Sequence, residues 1–287
     1  MTQIESEIIR IFGSGTHVIK TIPAGFSSAG SSYFIILSSL KKIFVKETCS
    51  SNANMFECET NGLNELRKFG ALTPEIYSVL TDESRSFLLM EALEDKPVDN
   101  TAEYFFGCAL AEMHKKETGK KFGFYENNYI GLNKQQNRWL DSWCEFFTER
   151  RLRYQISLAS EKFLLNSGEI RLFEKLASVT HKIIPECMAS VLHGDLWAGN
   201  FIRTSSGCIL IDPAVYFGSR ETDIAMTELF GGFTDNFYRG YNDTYPLDKD
   251  YRKRKDMYNL YHILNHLNIF GSSYKAGAIA IAKKYTS

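Results

Sequence analysis

Residues 191–202, VLHGDLWAGNFI, constrain this chain more than any other stretch. They set His193, Asp195 and Asn200 among glycines and a tryptophan, with apolar residues on both sides. A second apolar and turn segment, FIRTSSGCIL, leads on to Ile211-Asp212-Pro213. Two short strands joined by TSSG make a hairpin, and a hairpin returns Asp212 towards Asn200. Taken alone, an Asp and an Asn in a loop cap turns and satisfy backbone groups. A second acid folded back onto them allows a chemical use. Asp195 would face a cleft and accept a hydroxyl proton. Asn200 and Asp212 would supply the hard oxygens that magnesium takes beside phosphate.

Periodicity divides the remainder. Residues 3–12 read as an amphipathic helix, and 17–22, 31–39 and 41–47 as strands around a small-residue loop at 23–32. A helix over 54–70 stops at Gly70, and strands follow at 75–80 and 86–93. Beyond residue 94, helices are expected at 100–116, 136–157, 166–184, 221–239 and 249–270, with short apolar runs at 191–216. The expected fold is α+β and two-lobed: a small antiparallel-sheet lobe over 1–93, and a larger, mainly helical lobe over 94–287, hinged near MEALEDK.

Phosphoryl transfer needs a held nucleotide, metal ions between phosphates and a positioned hydroxyl, with little covalent help from the protein. AGFSSAG, with Gly25, Ser27 and Ser28, can lie over phosphates and offer N–H groups and hydroxyls, though it is neither a Walker A loop nor a full G-x-G-x-x-G. Lys46 ends the strand KIFVK and can reach the α- and β-phosphates; Glu59 on the next helix can pair with it. The backbone of Glu91 and Leu93, in the apolar run FLLMEAL, can bond an adenine edge. Each feature has a plain alternative: a surface lysine, a solvated glutamate, a buried strand. D-x-x-x-x-N followed by an acid after a strand is the protein-kinase catalytic-loop layout. The six features together follow the order that a two-lobed kinase-like fold requires.

VLHGDLWAGN with IDPAVYFGSRETDIAMTELFGGF resembles the fructosamine kinase (ketosamine-3-kinase) family, within the wider aminoglycoside- and choline-kinase-like group. MFECETNGL, FGFYENNYIGLNKQQNRWLDSWCEFFTERRLRYQ and YNLYHILNHLNIFGSSY extend the resemblance over nearly the whole chain. It implies ATP and Mg²⁺ as cofactors and Asp195 as catalytic base. Asn200 and Asp212 would be metal ligands, and Lys46 and Glu59 the nucleotide-orienting pair. Asp223 would brace the catalytic loop, with His193 ordering it, and Trp197 and Asn128 would lie on the substrate side. The implied reaction phosphorylates the sugar 3-hydroxyl of a ketoamine, free or on a protein lysine, which then decomposes and releases the amine. Departures from the family pattern are Ala24, Phe26, Asn127 and Lys134.

Other features bound the alternatives. A formal net charge of −1 gives no global field for nucleic acid or an anionic membrane, and no segment reaches a membrane-long apolar run. The start of the chain lacks a signal-peptide pattern, and six scattered cysteines without a C-x-x-C pair suit the reduced thiols of a cytoplasmic protein. His262 and His266 are expected in the core or on a helix surface rather than as a metal pair. RKRK at 252–255 is expected on a solvated helix face, and His114 beneath the lobe junction. Phe122, Phe124, Tyr125 and Tyr129 could wall an acceptor pocket, and residues 1–12 and AGAIAIAKKYTS could meet a partner. Two rival functions remain: a kinase for an aminoglycoside, choline or sugar, and a non-catalytic kinase-like binding module.

Overall fold

A computed structural model describes residues 2–27, 30–96, 100–119 and 121–287. Helix α1 (Gln3–Phe12) starts at a capping box between Thr2 and Glu5, and lays Ile8 against the first sheet. That sheet has five antiparallel strands, β1 (Val18–Ser27), β2 (Gly30–Leu37), β3 (Lys42–Cys49), β4 (Ile76–Thr81) and β5 (Arg85–Glu91), in the order β1-β2-β3-β5-β4. Helix α2 (Ala53–Lys68) follows β3 and ends at Gly70.

The expected loop at 23–32 is mostly strand. Gly25 pairs with Ser32 and Phe26 with Ser31, after a bulge between Pro23 and Gly25, so the hairpin closes much nearer its tip. Gly30 makes this possible: a Cβ there would lie 1.9 Å from the Glu47 carbonyl oxygen. Ser28 lies outside the described residues, and of Ser27 only the backbone is described.

The two-residue period of β3 decides what this sheet offers. Ile43 and Val45 are buried in a small core with Ile8, Leu37 and Leu89. Phe44 and Lys46 therefore share the other face. Across the ladder, Phe44 is opposite Phe34 and Met90, while Lys46 is opposite Ser32 and Leu88. An apolar row and a cationic row thus run side by side. Phe56 of α2 packs with Leu88 and Met90, which brings Glu59, one turn later, to Lys46.

The remaining chain is mainly helical: α3 (Asn100–Lys115), α4 (Trp143–Phe146), a π-helical turn (Phe147–Arg153), α5 (Tyr154–Glu161), α6 (Ser167–Val179), α7 (Glu221–Leu229), α8 (Asp235–Thr244), α9 (Tyr251–Phe270) and α10 (Lys275–Thr286). Three two-stranded ladders interrupt it: β6 (Asn128–Ile130) with β7 (Asn133–Gln135), β8 (Ser190–Leu192) with β11 (Tyr216–Gly218), and β9 (Phe201–Thr204) with β10 (Gly207–Leu210). A large core joins these helices and ladders. No described helix is long and apolar enough to cross a membrane.

Several expectations need correction. The helix expected from 136 begins at Trp143, capped by Ser142; Asn137 before it spends its side chain and N–H on Asn127, Asn128 and Glu126, which competes with helix. The helix expected over 221–239 is split by FGGFT into α7 and α8. The C-terminal segment, offered above to a partner, is α10, with Ala278 and Ala282 buried in the chain's own core. RKRK is not wholly solvated: Arg254 is buried and bonds Glu221 and Asp248. Phe122 and Phe124 are core residues, leaving only Tyr129 of that cluster on the cleft. His262, by contrast, is in the core as expected, and its carbonyl accepts a hydrogen bond from His266 Nδ1.

Candidate active site

The cleft lies between the first sheet and the β8–β11 region, with a volume of about 510 Å³. Gly25, Ser32, Lys46 and Glu59 line one side; Asp195, Trp197, Asn200 and Asp212 line the other. A narrow extension of about 110 Å³ runs inwards past Lys46 and Asp212, walled by Phe34, Phe44, Ile202 and Ile211 and ending at Glu91 and Leu93. Its flat apolar walls fit an aromatic ring. The Glu91 N–H already donates to the Glu75 carbonyl at 2.8 Å, so an incoming base would find the Glu91 carbonyl and the Leu93 backbone rather than that donor.

Lys46 Nζ donates to Glu59 Oε1 at 2.6 Å and also bonds Asp212 Oδ1. Two carboxylates thus share one ammonium, leaving the trio one negative charge in excess. Burial works against the Lys46 charge, but Asp212 and Glu59 outweigh it and hold its pKa above the usual lysine value. Burial pushes Glu59 up to about 7 despite Lys46, and the Asp212 charge adds to the rise. For Asp212 burial also acts upward, yet Lys46 holds it below the ordinary carboxylate range. Asp212 sits at φ +54°, a left-handed backbone that non-glycine residues rarely adopt and that costs on the order of 1–3 kcal/mol.

The expected hairpin forms. Phe201 pairs with Leu210 and Thr204 with Gly207 across a turn at Ser205-Ser206, and the Ile211 N–H donates to the Asn200 carbonyl at 3.0 Å. This ladder sets Asn200 beside Asp212 at the cleft floor. The Asn200 Nδ2 donates to the Asp195 carbonyl at 2.8 Å and to Asp195 Oδ2 at 3.1 Å. Its Oδ1 is thereby turned away as an acceptor. Asp195 is half-buried; removal from water pushes its carboxyl up to about 7 against the Asn200 hydrogen bond, with Asp212 and Asp223 adding repulsion.

The loop bearing Asp195 is tied down from beneath. Asp223, buried in the first turn of α7, accepts from the His193 N–H at 2.7 Å and the Gly194 N–H at 2.9 Å. His114 Nε2 lies 3.2 Å from the same carboxylate and its Nδ1 is 2.9 Å from the Tyr241 hydroxyl. Burial alone would raise Asp223, but His114 and the loop N–H groups hold it below the usual range. His193 donates from Nε2 to the Ile211 carbonyl and accepts from the Asp195 N–H on Nδ1. Burial lowers its pKa, so it is neutral and occupied with backbone. Gly194 is required at φ +82°, where a Cβ would lie 2.0 Å from the Ala214 carbonyl oxygen.

The wall around Trp197 is assembled differently. Trp197 is 41% exposed and stands at the cleft wall; Tyr129 and Phe270 face the same space. Asn128 reaches the cleft too, but its amide is committed: Nδ2 donates to the Val215 carbonyl at 2.7 Å, and Oδ1 accepts from Gln135 and Asn137. Asn127, a departure from the family pattern, receives the Asn137 N–H on its side chain. Sequence reasoning missed Gly30, Phe34, Phe44 and Phe270 at the cleft, and the hold of His114 on Asp223. Only Gly30 left a local signal, in the small-residue run before SSYFI. A second cavity, of about 450 Å³ between α3 and the β9–β10 turn, has no ionisable group besides Cys208 in its lining. The acids and the lysine converge on the first cleft.

Comparison with known proteins gives the relatives of the whole chain. A family model described as fructosamine kinase matches residues 1–287. The chain is 42% identical over 236 residues to the probable ketoamine kinase of Vibrio parahaemolyticus, covering 82% of this chain and 81% of that protein. It is 37% identical over 252 residues to a chloroplastic protein-ribulosamine 3-kinase of Arabidopsis thaliana, covering 84% and 75%. Among solved structures, a candidate fructosamine-3-kinase from Haemophilus somnus 129PT superposes with a TM-score of 0.88 at 30% identity, covering 99% of this chain and 97% of that one.

Proposed function

This chain belongs to the fructosamine kinase family, and from that premise we propose that it transfers the γ-phosphoryl group of ATP to the 3-hydroxyl of ketoamines, free or on protein lysines. The observation that carries this is the convergence of Lys46, Glu59 and Asp212 with Asp195 and Asn200 in one cleft. We take residues 1–93 as the nucleotide-binding lobe and 94–287 as the catalytic and substrate-binding lobe.

Adenine would enter the slot between Phe34, Phe44, Ile202 and Ile211, against the backbone of Glu91 and Leu93. Its phosphates would pass under the β1–β2 hairpin at Gly25 and meet Lys46. Glu59 keeps that ammonium aimed along the cleft. Magnesium fits the donor set: the Asn200 Oδ1 and the Asp212 carboxylate are two hard oxygens, and this ion takes its remaining ligands from phosphates and water. When bound, it neutralises charge on the β- and γ-phosphates. Asp195 accepts the hydroxyl proton, and a carboxyl with a pKa near 7 is suited to that at neutral pH. Asp223 and His193 act through the backbone by fixing the Asp195 loop. Trp197, Tyr129 and Phe270 form the sugar-side wall. Asn128 serves that wall through its contacts below, since its amide is already bonded.

A polycationic aminoglycoside would call for an acidic acceptor pocket. The stretch of lining formed by Asn128, Tyr129, Trp197 and Phe270 is aromatic and amide, which favours a neutral sugar on a single amine. We place the protein in the cytoplasm, acting without nucleic acid or membrane, in keeping with its six free thiols and small net charge.

The test is ATP consumption with magnesium over N-fructosyl-, N-ribulosyl- and N-erythrulosyl-lysine, choline and kanamycin, with products identified by mass. A 3-phosphorylated ketoamine is expected. Phosphate on choline or kanamycin alone would move the substrate class. Nucleotide binding without any turnover would favour the binding module.

A further inference from the structure

Arg151 is completely buried, and among the described residues no carboxylate lies within ion-pair distance of it. Burying an unpaired charge costs several kcal/mol, so stability alone gives no reason for an arginine here. Its surroundings show where the cation is directed. Nη1 donates to the Gln136 carbonyl at 2.6 Å and Nη2 to Asn137 Oδ1 at 2.8 Å. The guanidinium stacks 4.0 Å from the centre of the Tyr216 ring and 4.6 Å from that of Phe146. The π-helical turn Phe147–Arg153 carries it, a rare element often found at functional sites.

From Arg151 a chain of amides leads to the cleft. Asn137 Nδ2 donates to Asn128 Oδ1 at 2.8 Å, and Gln135 Nε2 donates to the same oxygen at 2.8 Å and to the Ala214 carbonyl at 2.9 Å. Asn128 in turn holds the Val215 carbonyl, and the Tyr261 hydroxyl donates to Gln135 Oε1 at 2.6 Å. The Ala214 N–H donates to the His193 carbonyl. The chain thus fixes the β6–β7 hairpin and the segment after Asp212 in one piece, and both border the acceptor side.

We propose that Arg151 is a positioning residue for acceptor specificity: a buried cation that orients the Asn137–Asn128–Gln135 amides, and through them the wall against which the sugar rests. This rests on the acceptor side assigned above. It requires a planar fork, because one group must serve two acceptors at fixed angles while stacking on Tyr216; an ammonium cannot.

The experiment measures steady-state kinetics of Arg151→Met, Arg151→Lys and Asn137→Ala in the full-length enzyme. Binding of a fluorescent ATP analogue and hydrogen exchange are followed in parallel. The acceptor is whichever compound of the panel above the wild-type enzyme phosphorylates, so a wild type that uses kanamycin refutes the ketoamine assignment and still permits this test. Arg151→Met is expected to raise the acceptor KM about tenfold or more, since small misplacements of a substrate are costly, while nucleotide binding stays within about twofold. Exchange should quicken at residues 126–137 and 214–216 and stay unchanged around Lys46. Arg151→Lys should not rescue. Asn137→Ala, which cuts the chain without touching the charge, should give the same split more weakly, and it decides the matter if Arg151→Met does not fold. Equal losses in nucleotide and acceptor parameters, or an unchanged acceptor KM, would overturn the proposal.

Discussion

The two sides of the cleft are built from different materials. The nucleotide side rests on charge and regular strands: Lys46 lies in the middle of a five-stranded sheet, with Glu59 one helical turn beyond the Phe56 contact and Asp212 opposite. The acceptor side rests on neutral amides in irregular backbone. Asn128, Gln135 and Asn137 bond one another and nearby carbonyls, above a single buried arginine. Charges in a shared cleft act over several ångströms and tolerate small errors of place. Amide networks require direct contact at every link. A strained half built on charge beside a half built on linked amides suggests that chemistry is set on one side and selectivity on the other.

The largest effect that could break this contrast comes from Asp195→Asn. It should lower kcat by roughly 10²–10⁴-fold, the range for losing a positioned base, and leave nucleotide binding near normal. It should also raise Tm, more at pH 8 than at pH 5. A carboxyl held near 7 in the folded state, against about 3.9 unfolded, loses stability as pH rises between those values, and the amide escapes that loss. Near-wild-type turnover would reassign the base. Lys46→Met comes next: kcat/KM for ATP should fall on the order of 10²-fold, as for other preorganised donors to developing charge, with the acceptor KM little changed. An equal effect on the acceptor would mean that the two sides are not separable.

A pH profile sharpens the same point. Because the base proposed here, Asp195, would have to be ionised and its pKa lies near 7, kcat/KM should be flat above that value and fall about tenfold per unit below it. Asp195→Asn should abolish that limb. The smallest effect expected is that of Glu91→Ala. Among the described residues its side chain accepts only the Glu75 N–H, and the nucleotide would use its backbone, so KM for ATP should stay within about twofold. A large rise would show that the side chain itself reads the nucleotide.

The same contrast explains what could be read in advance. The strand pattern of KIFVK set Lys46 on a strand ahead of the helix that bears Glu59, and the turn signal in TSSG returned Asp212 to Asn200. Both are local rules. The β6–β7 hairpin was missed because NNYIGLNKQ is short and polar, and it is held by bonds to Asn137, Ala214 and Asn265 outside it. The split of residues 221–239 was signalled by FGGF but overridden by the surrounding helical pattern. His114 appeared as a buried histidine at a junction; that it bonds Asp223 depends on α3 and α7 meeting, a separation of 109 residues.

The sequence alone determined the two kinds of lobe and the order of the nucleotide-side residues. These depend on periodicity, turn chemistry and residue type, all carried by neighbours along the chain. Tertiary structure alone decided the burial of Arg151 and Arg254, the commitment of the Asn128 amide, the packing of one face of α10 on the core and the pKa values near 7 at Asp195 and Glu59. Those properties follow from desolvation and from contacts between distant segments, and neither exists until the chain has closed upon itself.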